Sequence, residues 1–189
     1  MEPRTERENE IKLAIADARA GRALLRSAGF RVSRPRVLET NTVFDTPERM
    51  MGRTGRLLRV RQAGKTATVT YKGPPDSSRH KSREEIETAV ADGDAMAAIA
   101  RKIGFEPRFR YQKYRTEFRR GPGGVATLDE TPIGVFFELE GPPDWVDGVT
   151  AELGFAPADQ ITASYAALYV KWCERQGVPP GHMVFQAAE

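Results

Sequence analysis

Eight segments of the chain alternate between hydrophobic and polar residues, which is the pattern of β-strands that have one buried face. The alternation predicts strands at residues 7–13, 36–44, 55–61, 66–72, 82–88, 110–119, 125–129 and 134–140. Apolar residues at helical spacing predict helices at residues 15–27, 94–103, 144–153 and 160–175. Short turns join many consecutive strands, which favours antiparallel hairpins.

This order of elements predicts an α+β fold, namely an eight-stranded antiparallel β-barrel with α-helices packed outside. An antiparallel sheet of eight strands tends to close, because closure removes its exposed edges. A barrel of that size can hold a ligand inside. We expect a single tunnel domain over residues 1–176 and an irregular C-terminal tail over residues 177–189.

Composition excludes several classes of protein. Hydrophobic residues make up 40% of the 189 residues, which is typical of a globular chain. No apolar run approaches the ~20 residues that span a bilayer, and the N-terminus lacks the apolar stretch of a signal peptide. We therefore expect a cytoplasmic protein with no membrane partner.

Cysteine and histidine are scarce, which restricts the kinds of metal site. The only cysteine is Cys173, so intrachain disulfides and cysteine-based zinc sites are excluded. His80 and His182 are about a hundred residues apart. A divalent metal would depend mainly on carboxylates, which suit hard ions such as Mg²⁺ or Mn²⁺.

The polar faces of the predicted strands are unusually rich in charge. Alternate residues share a face of a strand, and this rule groups Glu8, Glu10 and Lys12; Arg59 and Arg61; Thr68, Thr70 and Lys72; Lys81, Arg83, Glu85 and Glu87; Lys113 and Arg115; and Glu138 and Glu140, with Asp129 at the end of the seventh strand. For any one strand, a polar face exposed to solvent would explain the charged residues. The set is better explained by the inner wall of a barrel, since acids concentrate on the first and last strands and bases on the middle ones.

Buried charges in such numbers must be compensated. Carboxylates on the first and last strands could hold a divalent metal, and arginines and lysines suit the oxygens of a chain of phosphates. Together the carboxylates and the cations predict a site for a metal–polyphosphate complex.

Short motifs in a fixed order carry a family resemblance. They are Glu-x-Glu-x-Lys at residues 8–12, Phe-Asp-Thr-Pro at 44–47, Leu-Arg-x-Arg at 58–61, the lysine strand at 70–73, Arg-x-Glu-x-Glu at 83–87, Lys-x-Arg at 113–115, Leu-Asp at 128–129, Glu-x-Glu at 138–140 and Ser-Tyr at 164–165. Over residues 6–170 the chain resembles the CYTH superfamily, the triphosphate tunnel metalloenzymes, which joins class IV adenylyl cyclases with thiamine triphosphatases.

The resemblance implies roles for individual residues. The metal-side carboxylates would be Glu8, Glu10, Asp129, Glu138 and Glu140. The phosphate contacts would be Lys12, Arg59, Arg61, Lys72, Arg83, Lys113 and Arg115. Glu85 and Glu87 would either bind a second metal or water, or orient the neighbouring bases. Glu10, Glu138 and Lys72 are the candidate catalytic residues, with Lys72 either a general base or only a phosphate contact. Asp45 is expected to be a turn residue.

Three functions remain open at this stage. The favoured one is a divalent-metal-dependent phosphohydrolase that acts on inorganic or organic triphosphates. The alternative is a class IV adenylyl cyclase, which would also need an adenine contact that the sequence does not reveal. A third is a non-catalytic binder of polyphosphate or nucleotide; nucleic acid is disfavoured, because acids alternate with the bases. The resemblance is also compatible with a homodimer.

Overall fold

The computed structural model contains a closed barrel of eight antiparallel strands. It describes residues 5–76 and 81–186, and only the backbone of residues 5–8 and 81. The strands are β1 (Thr5–Ile15), β2 (Arg31–Asp45), β3 (Leu57–Ala63), β4 (Thr66–Lys72), β5 (Lys81–Val90), β6 (Glu106–Arg119), β7 (Val125–Thr131) and β8 (Gly134–Glu140). Around the barrel their order is β1-β5-β4-β3-β2-β6-β7-β8. The predicted α+β barrel is confirmed.

In the described part of the chain, five α-helices lie outside the barrel. They are α1 (Ala18–Ser27), α2 (Met50–Arg53), α3 (Gly93–Lys102), α4 (Pro143–Glu152) and α5 (Tyr165–Gln176), and a 3₁₀ turn (Pro157–Asp159) precedes the last of them. None of the helices described is both long and apolar enough to cross a membrane.

Several predicted boundaries were wrong for local reasons. The first helix begins three residues late, because Ile15 still belongs to β1 and the Asp17 side chain caps the helix by accepting from Ala20 N at 2.8 Å. The last helix begins after Ser164, whose hydroxyl accepts from Ala167 N at 3.2 Å. The second strand begins five residues before its predicted start, and its register with β6 shifts on both sides of Arg34.

The short helix α2 was not predicted, and Asp45 explains it. The Asp45 carboxylate accepts hydrogen bonds from the backbone N–H groups of Thr46, Met51 and Gly52 at 2.8–2.9 Å. The first backbone N–H groups of a helix have no acceptor within the helix, and the Asp45 carboxylate provides one. Asp45 therefore organises the turn that follows β2, as expected.

The apolar faces of the strands point outward and are covered by helices. Leu25 of α1 and Val146 of α4 pack with the fully buried Leu128 and Phe137 of the barrel wall. A Cβ atom at Gly21 would lie 2.8 Å from Leu128 Cδ1, so a larger residue there would require the Leu128 side chain to shift. A second cluster covers the outer face of β2 and β3 beneath α3. Because the outer face is apolar, the charged face of each strand lines the interior.

The C-terminal tail lies along β6 where β7 no longer pairs with it. The backbone of Met183 donates to Arg110 O at 3.0 Å and accepts from Gln112 N at 2.8 Å. The Met183 side chain is fully buried, and the Phe185 ring lies 5.2 Å from that of Tyr114. The described part of the tail is therefore docked on the barrel, while the predicted domain boundary at residue 176 stays a prediction.

Candidate functional site

The barrel encloses a cavity of about 420 Å³ whose wall carries most of the predicted site residues. Among the described residues, its cations are Lys12, Arg59, Arg61, Lys72, Arg83, Lys113 and Arg115, and its carboxylates are Glu10, Glu85, Glu87, Glu138 and Glu140. The cations that face the cavity can contact an anionic ligand directly. The backbone of Glu8 pairs with that of Arg83, but the Glu8 side chain lies outside the described residues.

Asp129 lies behind the cavity wall. Its fully buried carboxylate accepts hydrogen bonds from Arg115 Nε at 2.7 Å, from Lys113 Nζ at 2.8 Å and from Tyr165 Oη at 2.7 Å. Burial alone raises the pKa of Asp129, but the charges of Arg115 and Lys113 outweigh burial and hold that pKa well below its usual range. Asp129 thus fixes two cavity cations in place, and its predicted metal-side role stays a prediction.

Glu138 connects the acidic and basic parts of the wall. Its Oε1 lies 3.1 Å from Lys12 Nζ, and its Oε2 lies 3.6 Å from Lys113 Nζ and accepts from Arg115 Nη2. Lys12 Nζ also lies 3.4 Å from Glu10 Oε1. To coordinate a metal ion, Glu138 would have to exchange some of these ion pairs.

The most acidic part of the wall is where Glu10 of β1 pairs with Glu140 of β8. Although Glu140 is exposed at the end of β8, desolvation by the surrounding protein raises the pKa of its carboxyl, Lys72 opposes this, and Glu85 and Glu10 raise the pKa further. A divalent cation would relieve this repulsion, and carboxylate oxygens suit Mg²⁺ and Mn²⁺. The donor set therefore fits the predicted metal, although no three acidic, histidine or cysteine side chains among those described already form a metal cluster.

Glu85 and Glu87, whose roles were left open, each contact a cation of the wall. Lys72 Nζ lies 2.8 Å from Glu85 Oε2. Glu87 accepts a 2.6 Å hydrogen bond from Thr70 and lies 3.6 Å from Arg59 Nη2. Of the two predicted roles, these contacts favour orientation of neighbouring bases.

Three arginines of the wall retain hydrogen-bonding capacity. The Nε atoms of Arg59, Arg61 and Arg83 are buried without an acceptor in the described part of the protein. Arg59 is nonetheless held in position, since it donates to Tyr111 Oη at 3.2 Å and to Thr70 Oγ1 at 3.1 Å. A buried donor without an acceptor is unfavourable, and all three arginines also line the cavity, where their charge favours an anion.

Glu39 belongs to the inner wall but was not identified from the sequence. It is 4% exposed, and its carboxylate oxygens lie 3.8 Å from Lys113 Nζ and from Arg61 Nη1. Burial alone raises the pKa of Glu39, but Arg115, Lys113 and Arg61 together lower that pKa to about 2. Glu39 therefore stays ionised and balances these cations. Assigning the two faces of the second strand, as was done for the others, would have found it.

One part of the cavity is aromatic and apolar. Its lining residues are Val43, Leu57, Phe109, Tyr111 and Tyr165. The rings of Phe109 and Tyr111 stack with centroids 5.7 Å apart, and the Tyr165 ring is tilted 6.1 Å from Tyr111. The sequence analysis missed these residues because it followed only charges, although Phe109 and Tyr111 share the inward face of β6 with Lys113.

Comparison with known proteins agrees with this architecture. The family model of the CYTH domain matches residues 6–165. A Methanocaldococcus jannaschii protein named "Putative adenylate cyclase MJ0240" is 32% identical to this chain over 133 residues, which is 70% of this chain and 75% of that protein.

Solved structures resemble the whole barrel. The PH1819 protein from Pyrococcus horikoshii OT3 is 26% identical with a TM-score of 0.75, over 87% of this chain and 98% of that one. A Hippeastrum protein, described as an adenylyl cyclase candidate with "a dominant triphophatase activity", is 20% identical with a TM-score of 0.62, over 93% and 97% of the two chains. The extent of the family match, taken with the closed charged barrel, establishes that this chain belongs to the CYTH domain family.

Proposed function

We propose that the protein is a divalent-metal-dependent phosphohydrolase that cleaves inorganic or organic triphosphates inside its barrel. The observation that supports it is the cavity wall, where seven cations and five carboxylates of the described residues face one cavity. A triphosphate complements the cations, and a divalent ion bound to that triphosphate complements the carboxylates.

In this proposal the residues divide by charge. Lys12, Arg59, Arg61, Lys72, Arg83, Lys113 and Arg115 bind the phosphate oxygens and stabilise charge on the leaving group. Glu8, Glu10, Glu138 and Glu140 are the residues that would hold Mg²⁺ or Mn²⁺, and Asp129 supports them by fixing Lys113 and Arg115. The bound ion would neutralise phosphate charge and make a water molecule more acidic.

The reaction is displacement at the terminal phosphorus. A water oxygen attacks that phosphorus, the bond to the bridging oxygen breaks, phosphate and a diphosphate leave, and the proton lost by the water is finally carried by these products. Arg59, which is held by Tyr111 and Thr70, would stabilise the developing charge. Lys72 either accepts the proton from the water or contacts a phosphate, and its 2.8 Å ion pair with Glu85 favours the second role.

A second candidate is class IV adenylyl cyclase activity, in which a ribose hydroxyl attacks the α-phosphorus and diphosphate leaves. The aromatic part of the cavity favours it, because stacked rings such as Phe109 and Tyr111 can hold a base. The name of the M. jannaschii relative points the same way. The description of the Hippeastrum protein supports hydrolysis instead, and hydrolysis needs only the charged wall.

Product analysis separates these functions. The purified protein is incubated with Mg²⁺ or Mn²⁺ and, separately, tripolyphosphate, thiamine triphosphate or ATP, and phosphate, diphosphate and cyclic AMP are quantified. We expect phosphate release without cyclic AMP, and its loss on chelation of the metal. Cyclic AMP with equimolar diphosphate would establish the cyclase. Tight binding without any product would support the third function, a non-catalytic binder of polyphosphate or nucleotide.

Two substitutions test the carboxylate assignment. Glu10→Gln and Glu138→Gln should each lower kcat by at least about 100-fold, since each removes a charged oxygen ligand while conserving shape. Circular dichroism should remain unchanged. Glu48→Gln, at an exposed position outside the barrel, is the matched control and should retain full activity. Near-normal turnover in both cavity variants would contradict the assignment.

A further inference from the structure

Tyr111 lies where the charged part of the cavity meets its aromatic part. Its side chain lines the cavity and is 8% exposed. Its ring is held between Phe109, at a centroid distance of 5.7 Å and an interplanar angle of 22°, and Tyr165, at 6.1 Å. The position of the hydroxyl is therefore fixed by packing.

The Tyr111 hydroxyl has a hydrogen to donate. A phenol can accept hydrogen bonds and donate one, and this one accepts from Arg59 Nη1 at 3.2 Å. Among the residues that the structure describes, none accepts a hydrogen bond from Tyr111 Oη. The donor is thus available to a ligand that lies beside Arg59.

The surroundings of this hydroxyl favour an anionic acceptor. Burial alone raises the pKa of Tyr111, but the positive charges of Arg59, Lys113 and Arg61 outweigh burial and lower that pKa. The phenol is therefore a stronger donor than an ordinary tyrosine. Arg59 also lines the cavity beside Tyr111, so one phosphate group could accept from both side chains.

We propose that Tyr111 is a substrate-contact residue that donates its phenolic hydrogen to a phosphate oxygen of a bound triphosphate, next to Arg59. This inference rests on the proposed triphosphate ligand. It places the end of the phosphate-binding part of the cavity at Tyr111, where the wall becomes aromatic. An organic group attached to the triphosphate would lie beyond Tyr111, against Phe109.

The test measures binding of a non-hydrolysable imido analogue of tripolyphosphate by isothermal titration calorimetry in the presence of Mg²⁺, so that turnover does not disturb the titration. Tyr111→Phe keeps the ring and its packing and removes only the hydroxyl, so we expect Kd to rise roughly tenfold, as for loss of a hydrogen bond to a charged group. Tyr114→Phe is the matched control. Tyr114 lies on the outer face of the same strand, with its ring 5.2 Å from that of Phe185, and its substitution should leave Kd unchanged.

A double-mutant cycle separates direct donation from mere support of Arg59. If Tyr111 contacts phosphate, Tyr111→Phe should still weaken binding several-fold in an Arg59→Ala background. An effect that disappears in that background would overturn the proposal and make Tyr111 only a positioning residue, and wild-type affinity in Tyr111→Phe would also overturn it. If the wild-type protein binds neither tripolyphosphate nor ATP, the proposed function itself fails, and this inference fails with it.

Discussion

Asp129 and Glu130 are consecutive residues of β7, yet they lie on opposite faces of the barrel wall. Each carboxylate forms a two-point ion pair with an arginine. Arg115 contacts Asp129 at 2.6 and 2.7 Å on the inside, and Arg36 contacts Glu130 at 2.9 and 3.3 Å on the outside. The Asp129 side chain is fully buried, whereas that of Glu130 is 21% exposed.

The comparison shows how the solvent changes the role of one kind of ion pair. On the outer face, water solvates both charges, so the pair adds little to stability. On the inner face, desolvation makes every unpaired charge expensive, so each cation needs a partner. Asp129 supplies that partner for Arg115 and Lys113, whereas no described carboxylate pairs with Arg83. The inner wall therefore combines cations balanced by the protein with cations that a ligand can balance.

The largest expected effect is that of Asp129→Asn on stability. Removing this charge leaves Arg115 and Lys113 buried without their main partner, and breaking a buried ion pair costs about 3–5 kcal/mol. The free energy of unfolding from urea titrations should fall by that amount. A loss below about 1 kcal/mol would mean that the inner wall rearranges or admits water easily, and the contrast with Glu130 would disappear.

Much of this inner wall could be predicted from the sequence. Strand alternation alone placed charged residues such as Lys12, Arg59 and Glu138 on inward faces, because a period of two fixes the face of every residue in a strand. The boundaries of β2 and α5 could not be predicted as well. The start of β2 depends on a register shift against β6, which is a tertiary contact, whereas the Ser164 cap of α5 is a local signal that the helix prediction did not use.

The depth of each inward residue could not be predicted either. Asp129 and Glu138 share inward-facing positions, yet only Glu138 lines the cavity, because Lys113, Arg115 and Tyr165 cover Asp129. Tyr165 comes from the first turn of α5, far along the chain. Alternation therefore predicts the face of a residue, while its partners depend on which distant element covers it.

The second-largest effect is the loss of stability in Glu39→Gln, which should depend on pH. The pKa of Glu39 in the folded protein is about 2, below its usual value of 4.5, so its contribution is fully present above pH 4.5 and is lost as pH falls towards 2. At pH 6, Glu39→Gln should be less stable than wild type by roughly 3 kcal/mol. Urea unfolding at several pH values should show this gap closing between pH 4.5 and 2. A gap that is independent of pH would show that Glu39 acts through packing and not through its charge.

A smaller effect, on binding alone, is expected for Arg83. Its Nε has no acceptor among the described residues, so Arg83→Gln removes a cation that the described part of the protein does not balance. Affinity for tripolyphosphate should fall roughly tenfold through loss of a charged hydrogen bond, while the unfolding free energy changes by less than about 1 kcal/mol. Calorimetric titration and urea unfolding of the same sample test both halves. A large loss of stability with unchanged affinity would place Arg83 with the cations that the protein balances.

The smallest effect completes the comparison on β7. Glu130→Gln makes the same chemical change as Asp129→Asn one residue along, but on the face where Arg36 can be solvated and its guanidinium lies 3.5 Å from the Tyr114 ring centre. The free energy of unfolding should change by no more than about 1 kcal/mol, and added salt should reduce the difference further, because exposed pairs are screened. Parallel urea titrations of both variants at low and high salt measure the contrast. If Glu130→Gln destabilised the protein as much as Asp129→Asn, burial would not be what separates the two faces of the wall.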